Sequence, residues 1–233
     1  GEDFEEKGRD LPEGLEGARQ LEAYGYHALD VDVGSYDAWW WSHPPMYQEK
    51  GLYLPYCQAV KQAVRIPVIC AGRMDDPARA RDAVTQGKCD IISLGRPLLA
   101  DADYVNYAHQ SNLEVWAVLR DFHGGINSYE ETYQVLSYTS KRAKLISKAL
   151  ETDVDGINLD FELVSDECGP HYVQFVRELS VKCRQNGLVF SVDNYVPQPY
   201  NAHYDIEEQA AVADYVVVMG YDEHTEGSYE AGS

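Results

Sequence analysis

The stretch DGINLDFE, Asp155 to Glu162, decides how this chain is read. Apolar Ile157, Leu159 and Phe161 alternate with Asn158, Asp160 and Glu162, the two-residue period of a β-strand that sends successive side chains to opposite faces. One face is apolar and suits a layer of helices. The other carries two carboxylates and an amide. Unpartnered carboxylates aimed into a protein interior cost too much to be accidental. The strand is therefore expected to hold its acids at the edge of a cavity, with Glu162 at its tip.

Six further runs of β-forming composition lie on either side: HALDVDV (27–33), IPVICA (66–71), CDIISL (89–94), LEVWAVL (113–119), LVFSVD (188–193) and DYVVVMG (214–220). Segments of helical composition separate them, at 12–25, 53–64, 76–87, 129–150, 169–187 and shortly after Asp205. Several start after Asp, Ser or Pro and end in Gly, as capped helices do. Strands alternating with helices imply an α/β fold with parallel pairing through crossovers. Polar and Gly-rich residues follow the strands (GSYD, GRMDD, GRPLLAD, RDFHGG, NYVPQP, YDEH), where a (β/α) TIM-barrel-like fold places its chemistry. No GxGxxG follows a strand and no Walker sequence occurs, which disfavours a nucleotide-binding open sheet. A closed barrel of this class has eight strands and seven are recognisable here, so an incomplete or hybrid barrel is expected. Unpaired edges in such a sheet would favour a homodimer.

Composition narrows the partners. With 39 Asp and Glu against 19 Lys and Arg, the formal charge of -20 repels phosphate backbones and anionic lipid surfaces, so neither nucleic acid nor membrane is expected. No apolar run approaches the roughly 20 residues that span a bilayer, and the first ten residues, GEDFEEKGRD, show no visible export signal, so the expected compartment is the cytoplasm or an unassigned one. The five cysteines form no CxxC pair and read as free thiols; His43, His123, His171, His203 and His224 have no metal-binding spacing, so no metal is expected. WWW at 39–41 reads as packing under a long loop, with sugar stacking as the other reading.

The two halves of the chain resemble two different families. From about Leu15 to Tyr104, IPVICAGRM followed about twenty residues later by DIISLGRPLLAD looks like the C-terminal part of the old yellow enzyme family of NADH:flavin reductases. That resemblance implies an FMN phosphate held at two strand ends by Ala71, Gly72, Arg73, Gly95 and Arg96. Glycines there would let backbone N–H groups approach closely, and arginines would add charge-assisted hydrogen bonds. The other reading of the same residues is tight turns, with the arginines paired to Asp75, Asp76 or Asp101.

From about Tyr107 onward, LEVWAVLRDF, DGINLDFE, LVFSVDNYVP and ADYVVVMGYDEH resemble glycoside hydrolase family 18. Its D-x-x-D-x-D-x-E signature falls on Asp155, Asn158, Asp160 and Glu162. The resemblance implies Glu162 as the general acid, Asp160 as its partner and Tyr221 as a hydrogen-bond donor to the substrate's acetamido carbonyl. It implies Asp222 as a sugar ligand, and Asn194 with Tyr195 as a further rim. No second carboxylate nucleophile is needed in this family, because the substrate's own 2-acetamido oxygen attacks the reacting carbon. Two adjacent acids should not both ionise readily, which would help keep Glu162 protonated. Asn158 departs from the signature and is expected to remove one charge while keeping a hydrogen-bond partner for Asp160. The two patterns meet near Tyr104–Tyr107 without a linker, so the chain is expected to form a single hybrid barrel-like domain (1–104 and 105–233), of natural, designed or sequence-assembly origin. Its expected function is hydrolysis of N-acetylglucosamine-containing polymers; the alternatives are an FMN or phosphate scaffold and an inactive hybrid.

Overall fold

The computed structural model describes residues 9–34, 38–95, 103–121 and 128–220. All seven expected strands form, every pairing is parallel, and strand order follows chain order in two sheets, the arrangement of arcs cut from a (β/α) barrel. The described residues fall into two compact units, with the chain dividing between Leu113 and Glu114.

The first unit contains α1 (Leu11–Ala23), β1 (Leu29–Val31), α2 (Trp39–Ser42), α3 (Leu54–Ala63), β2 (Val68–Cys70), α4 (Pro77–Thr85), β3 (Ile91–Ile92) and α5 (Tyr104–Gln110). Asp10 and Glu13 form a capping box at α1, and Asp76 accepts from the N–H groups of Ala78 and Arg79 at α4. Its core gathers Leu29, Val68, Cys70, Cys57, Val60, Met74 and Tyr53 beneath the helices. Cys57, Cys70, Cys89, Cys168 and Cys183 are all buried free thiols.

The second unit contains β4 (Trp116–Arg120), α6 (Tyr129–Leu136), α7 (Thr139–Leu150), β5 (Gly156–Asp160), α8 (Gly169–Gln185), β6 (Val189–Tyr195), a 3-10 turn (Pro199–Tyr204), α9 (Ile206–Val212) and β7 (Tyr215–Met219). The apolar face of β5 meets α8 as its alternation requires: Ile157, Leu159 and Phe161 pack with Tyr172, Phe175, Val176 and Leu179. The stretch 129–150, which reads as one helical segment, is broken at Ser137 and Tyr138. Arg142 closes the break by donating to the Leu136 carbonyl at 2.6 Å while gripping both carboxylate oxygens of Glu178 on α8.

One device recurs in both sheets. An aspartate just before a strand holds the neighbouring strand at two points, giving its N–H to a carbonyl and accepting that same residue's N–H on its carboxylate. Asp90 does this to Val68, Asp155 to Val115 and Asp214 to Phe190. The first position of the family signature, Asp155, thus frames the sheet at the end opposite Glu162. Among the described residues, no helix is long and apolar enough to cross a membrane and no group of three His, Cys, Asp or Glu side chains could hold a metal ion.

Candidate active site

Register sets the chemistry of β5. Asn158 lies opposite Val118 on β4 and Ser191 on β6, and Asp160 lies opposite Arg120. Side chains on the site face are therefore Val118 and Arg120 from β4, Asn158 and Asp160 from β5, and Ser191 and Asp193 from β6. The Asn158 amide donates to Ser191 Oγ at 2.9 Å and to Asp193 Oδ1 at 2.8 Å. Its expected bond to Asp160 does not form. The departure from the family pattern has a local cause: a carboxylate at 158 would face Asp193 as a like charge, whereas an amide supplies the donors that Asp193 needs. Asn158→Asp should therefore be destabilised by about 1–3 kcal/mol at pH 7. The crowded acid would titrate above its unfolded value, so stability should return as pH falls toward 4, as read from urea midpoints across pH.

Arg120 takes the place expected of Asn158. Its Nε meets Asp160 Oδ2 at 2.8 Å, and its Nη2 lies 3.8 Å from Glu162 Oε2. The two acids thus share a cation, a difference from the expectation that mutual repulsion alone sets their protonation. Burial raises the Asp160 carboxyl above the ordinary range, while the charge and hydrogen bond of Arg120 pull it back. The other oxygen of Asp160, Oδ1, is buried and has no hydrogen-bond partner among the described residues. Beside Arg120, Asp121 is 1% exposed; it accepts from the N–H of Glu162 on Oδ1 at 3.1 Å and from that of Leu163 on Oδ2 at 2.6 Å. Neither Arg120 nor Asp121 is a candidate from the sequence, although both fall in the polar segment RDFHGG that follows β4.

Asn194 does not join this face. It is 3% exposed and exchanges hydrogen bonds with Gln209 of α9, at 2.8 and 3.0 Å, inside the helix layer. Parity explains the correction, since Asn194 shares its face with Phe190 and Val192. Tyr195, at the end of β6, packs edge-on against Tyr204 of the core cluster. Tyr221 and Asp222 lie outside the described residues.

In the first unit, Ala71, Gly72 and Arg73 follow β2 as expected, but two of them are committed to the protein. Gly72 has φ +76°, and a Cβ there would lie 2.3 Å from the ring of Tyr53. The Arg73 guanidinium donates to the carbonyls of Pro45, Met46 and Gln48 and pairs with Asp75, pinning the 45–48 loop. This pairing pulls the Asp75 carboxyl below its ordinary range against the opposing effect of burial. Ala71 packs on the core, Gly95 has open space around it, and Arg96 lies outside the described residues. Asp30 lies on β1 and Asp32 just after it; burial, with a smaller push from Asp32, raises Asp30 to about 6.

Residues 109–233 match the family described as glycosyl hydrolases family 18, more than half of the chain, and the chain belongs to that family. Residues 3–114 match the NADH:flavin oxidoreductase / NADH oxidase family, so the hybrid reading holds. The first part is 64% identical over 105 residues to a cinnamate reductase of Clostridium sporogenes, covering 45% of this chain and 16% of that protein. The second part is similar to the uncharacterized glycosylase YvbX of Bacillus subtilis, 27% identical over 139 residues, covering 54% of this chain and 40% of that protein. It also resembles the crystal structure of Bacillus subtilis YdhD, provisionally named a sporulation-specific glycosylase, at 26% identity and a TM-score of 0.51, covering 55% and 45% of the two chains. The chain spans less than half of each of these relatives.

Proposed function

We propose that this chain cleaves polymers containing N-acetylglucosamine, with Glu162 as the general acid. The observation that carries the reading is the tip of β5, where Asp160 and Glu162 sit half-buried on one face beside Arg120. In the proposed reaction the Glu162 carboxyl gives its proton to the glycosidic oxygen as the bond to the anomeric carbon breaks. The substrate's 2-acetamido oxygen bonds to that carbon at the same time. Water then attacks the carbon, displacing the acetamido oxygen and restoring the acetamide, and gives a proton to the Glu162 carboxylate. Asp160, whose charged form burial disfavours and Arg120 favours, acts as the partner of Glu162 and orients the acetamido group. Tyr221 and Asp222 are proposed as further substrate contacts on the strength of the family pattern. The test is release of chromophore from a chromogenic chitobioside by the purified full chain; no release above a buffer control overturns the reading.

Arg120 gives this reading a pH signature. A cation beside a carboxyl favours its charged form, so its loss raises the pH at which the carboxyl takes up a proton. In Arg120→Gln the acid limb of the rate profile, which requires ionised Asp160, should move to higher pH, by about one unit or less given that half of Arg120 is open to water. An unmoved limb would remove Asp160 from the proton economy of the site.

The 64% match to a cinnamate reductase supports a second reading, in which the first part contributes to holding FMN. The commitment of Gly72 and Arg73 to Tyr53, Asp75 and the 45–48 loop weighs against a phosphate grip by these residues alone. A flavin absorbance band in the purified protein, or its appearance on adding FMN, tests it.

A further inference from the structure

We propose that Asp121 is a positioning residue, a buried carboxylate that replaces the β-ladder at the tip of β5 and fixes the backbone on which Glu162 stands. The inference rests on the reading of Glu162 as the acid. The register of β5 with β4 ends at Asp160 opposite Arg120, and that with β6 ends at Leu159 opposite Val192. The N–H groups of Glu162 and Leu163 lie beyond both ladders. A strand tip without partners frays, and an acid on a fraying tip wanders by distances that matter to proton transfer.

Asp121 supplies what the ladder no longer does. It is the first residue after β4, carried there by the strand that pairs with β5, and its two oxygens each take one of the two successive N–H groups. A carboxylate has acceptors on both oxygens and no donor, which suits two adjacent N–H groups; an amide of the same shape must turn its own N–H toward one of them. Bonds of this kind are charge-assisted and stronger than those of a neutral acceptor. The groups around the carboxylate are Asp160 of β5, Cys168 and Tyr172 at the start of α8, and Tyr204. None of them is a cation. Among the described residues the backbone N–H groups, those of Glu162 and Leu163 and that of Asp121 itself, are thus the principal support of the buried charge, and the clamp and its carboxylate depend on each other.

The clamp is read first in the wild type, by the scalar coupling across the hydrogen bond from the Leu163 nitrogen to Asp121 Cγ in isotopically labelled full chain. A detectable coupling is expected; its absence overturns the proposal whether or not any variant folds. In Asp121→Asn, exchange of the Glu162 and Leu163 amide hydrogens should rise about ten- to a hundredfold, while those of Ile157 to Leu159 hold. On chitobioside, kcat should fall about tenfold or more with KM changed by no more than about twofold, because what is lost is placement of the acid and not substrate binding. Unchanged amide exchange, or unchanged kcat in an active wild type, also overturns it. Glu162→Gln should leave the coupling intact while removing activity. A wild type that shows the coupling and cleaves nothing sinks the reading of Glu162 as acid and leaves the backbone clamp in place, so the two failures are told apart.

Discussion

Glu162→Gln should lower kcat on a chitobioside by about 10²- to 10⁴-fold while leaving KM and folding nearly unchanged. Gln matches Glu in size, and the side chain is about a third open to water, so little packing changes with the substitution. What changes is the proton. A carboxyl can give one up and take it back; an amide cannot on this timescale. Asp160 cannot substitute, since its Oδ2 is held by Arg120 and it lies one step deeper in the strand, 13% exposed. The longer contact from Arg120 to Glu162, at 3.8 Å, is lost as well, but an exposed pair of that kind is worth well under about 1 kcal/mol. The measurement is a pair of saturation curves with matched circular dichroism spectra. Activity within a factor of about ten of the wild type would place the acid elsewhere.

The fold was legible because its signal is local. The strands announce themselves as short runs rich in β-forming residues, and several helix starts by an Asp or Ser cap, as at Asp10, Asp76, Ser128 and Asp205. The site was legible only along β5 itself. Asn158, Asp160 and Glu162 share a face by sequence parity alone, and the structure keeps them there. What touches them depends on which residue of β4 and β6 lies opposite, and register is a property of two strands together. Arg120 and Asp121 were therefore visible only as polar residues after a strand.

Asn194 is a different case, since the signal was present. In VFSVDNY, Phe190, Val192 and Asn194 share one parity while Ser191, Asp193 and Tyr195 share the other. Asn194 had to follow the apolar set into the helix layer, where Gln209 meets it amide to amide. Arg73 shows the opposite limit. Nothing in the local sequence tells that the chain at Arg73 turns left-handed, with φ 58°, and sends its guanidinium to three carbonyls about 25 residues away. An arginine expected to face a ligand can thus also tie a distant loop to its own strand end.

Phe161→Ala should cost about 3–5 kcal/mol, a large fraction of the 5–15 kcal/mol that holds a typical domain together. Phe161 is 2% exposed, and its ring packs 5.5 Å from that of Phe175 and 6.2 Å from that of Tyr172, both on α8. Truncation removes the ring's burial and leaves a cavity that the strand, tied to β4 and β6, cannot collapse into. The urea midpoint should fall by roughly 1–3 M with the slope unchanged. Activity should fall too, although no group that touches substrate has been altered. Phe161 separates Asp160 from Glu162 along the chain, and it anchors from the helix side the same backbone that Asp121 holds by its N–H groups. Phe161→Leu refills most of the space and should recover most of the stability, at a remaining cost of about 1 kcal/mol. A stability loss of less than about 1 kcal/mol for the alanine variant would mean that β5 is held by its ladders alone, and that the alternation of DGINLDFE anchors nothing on its apolar side.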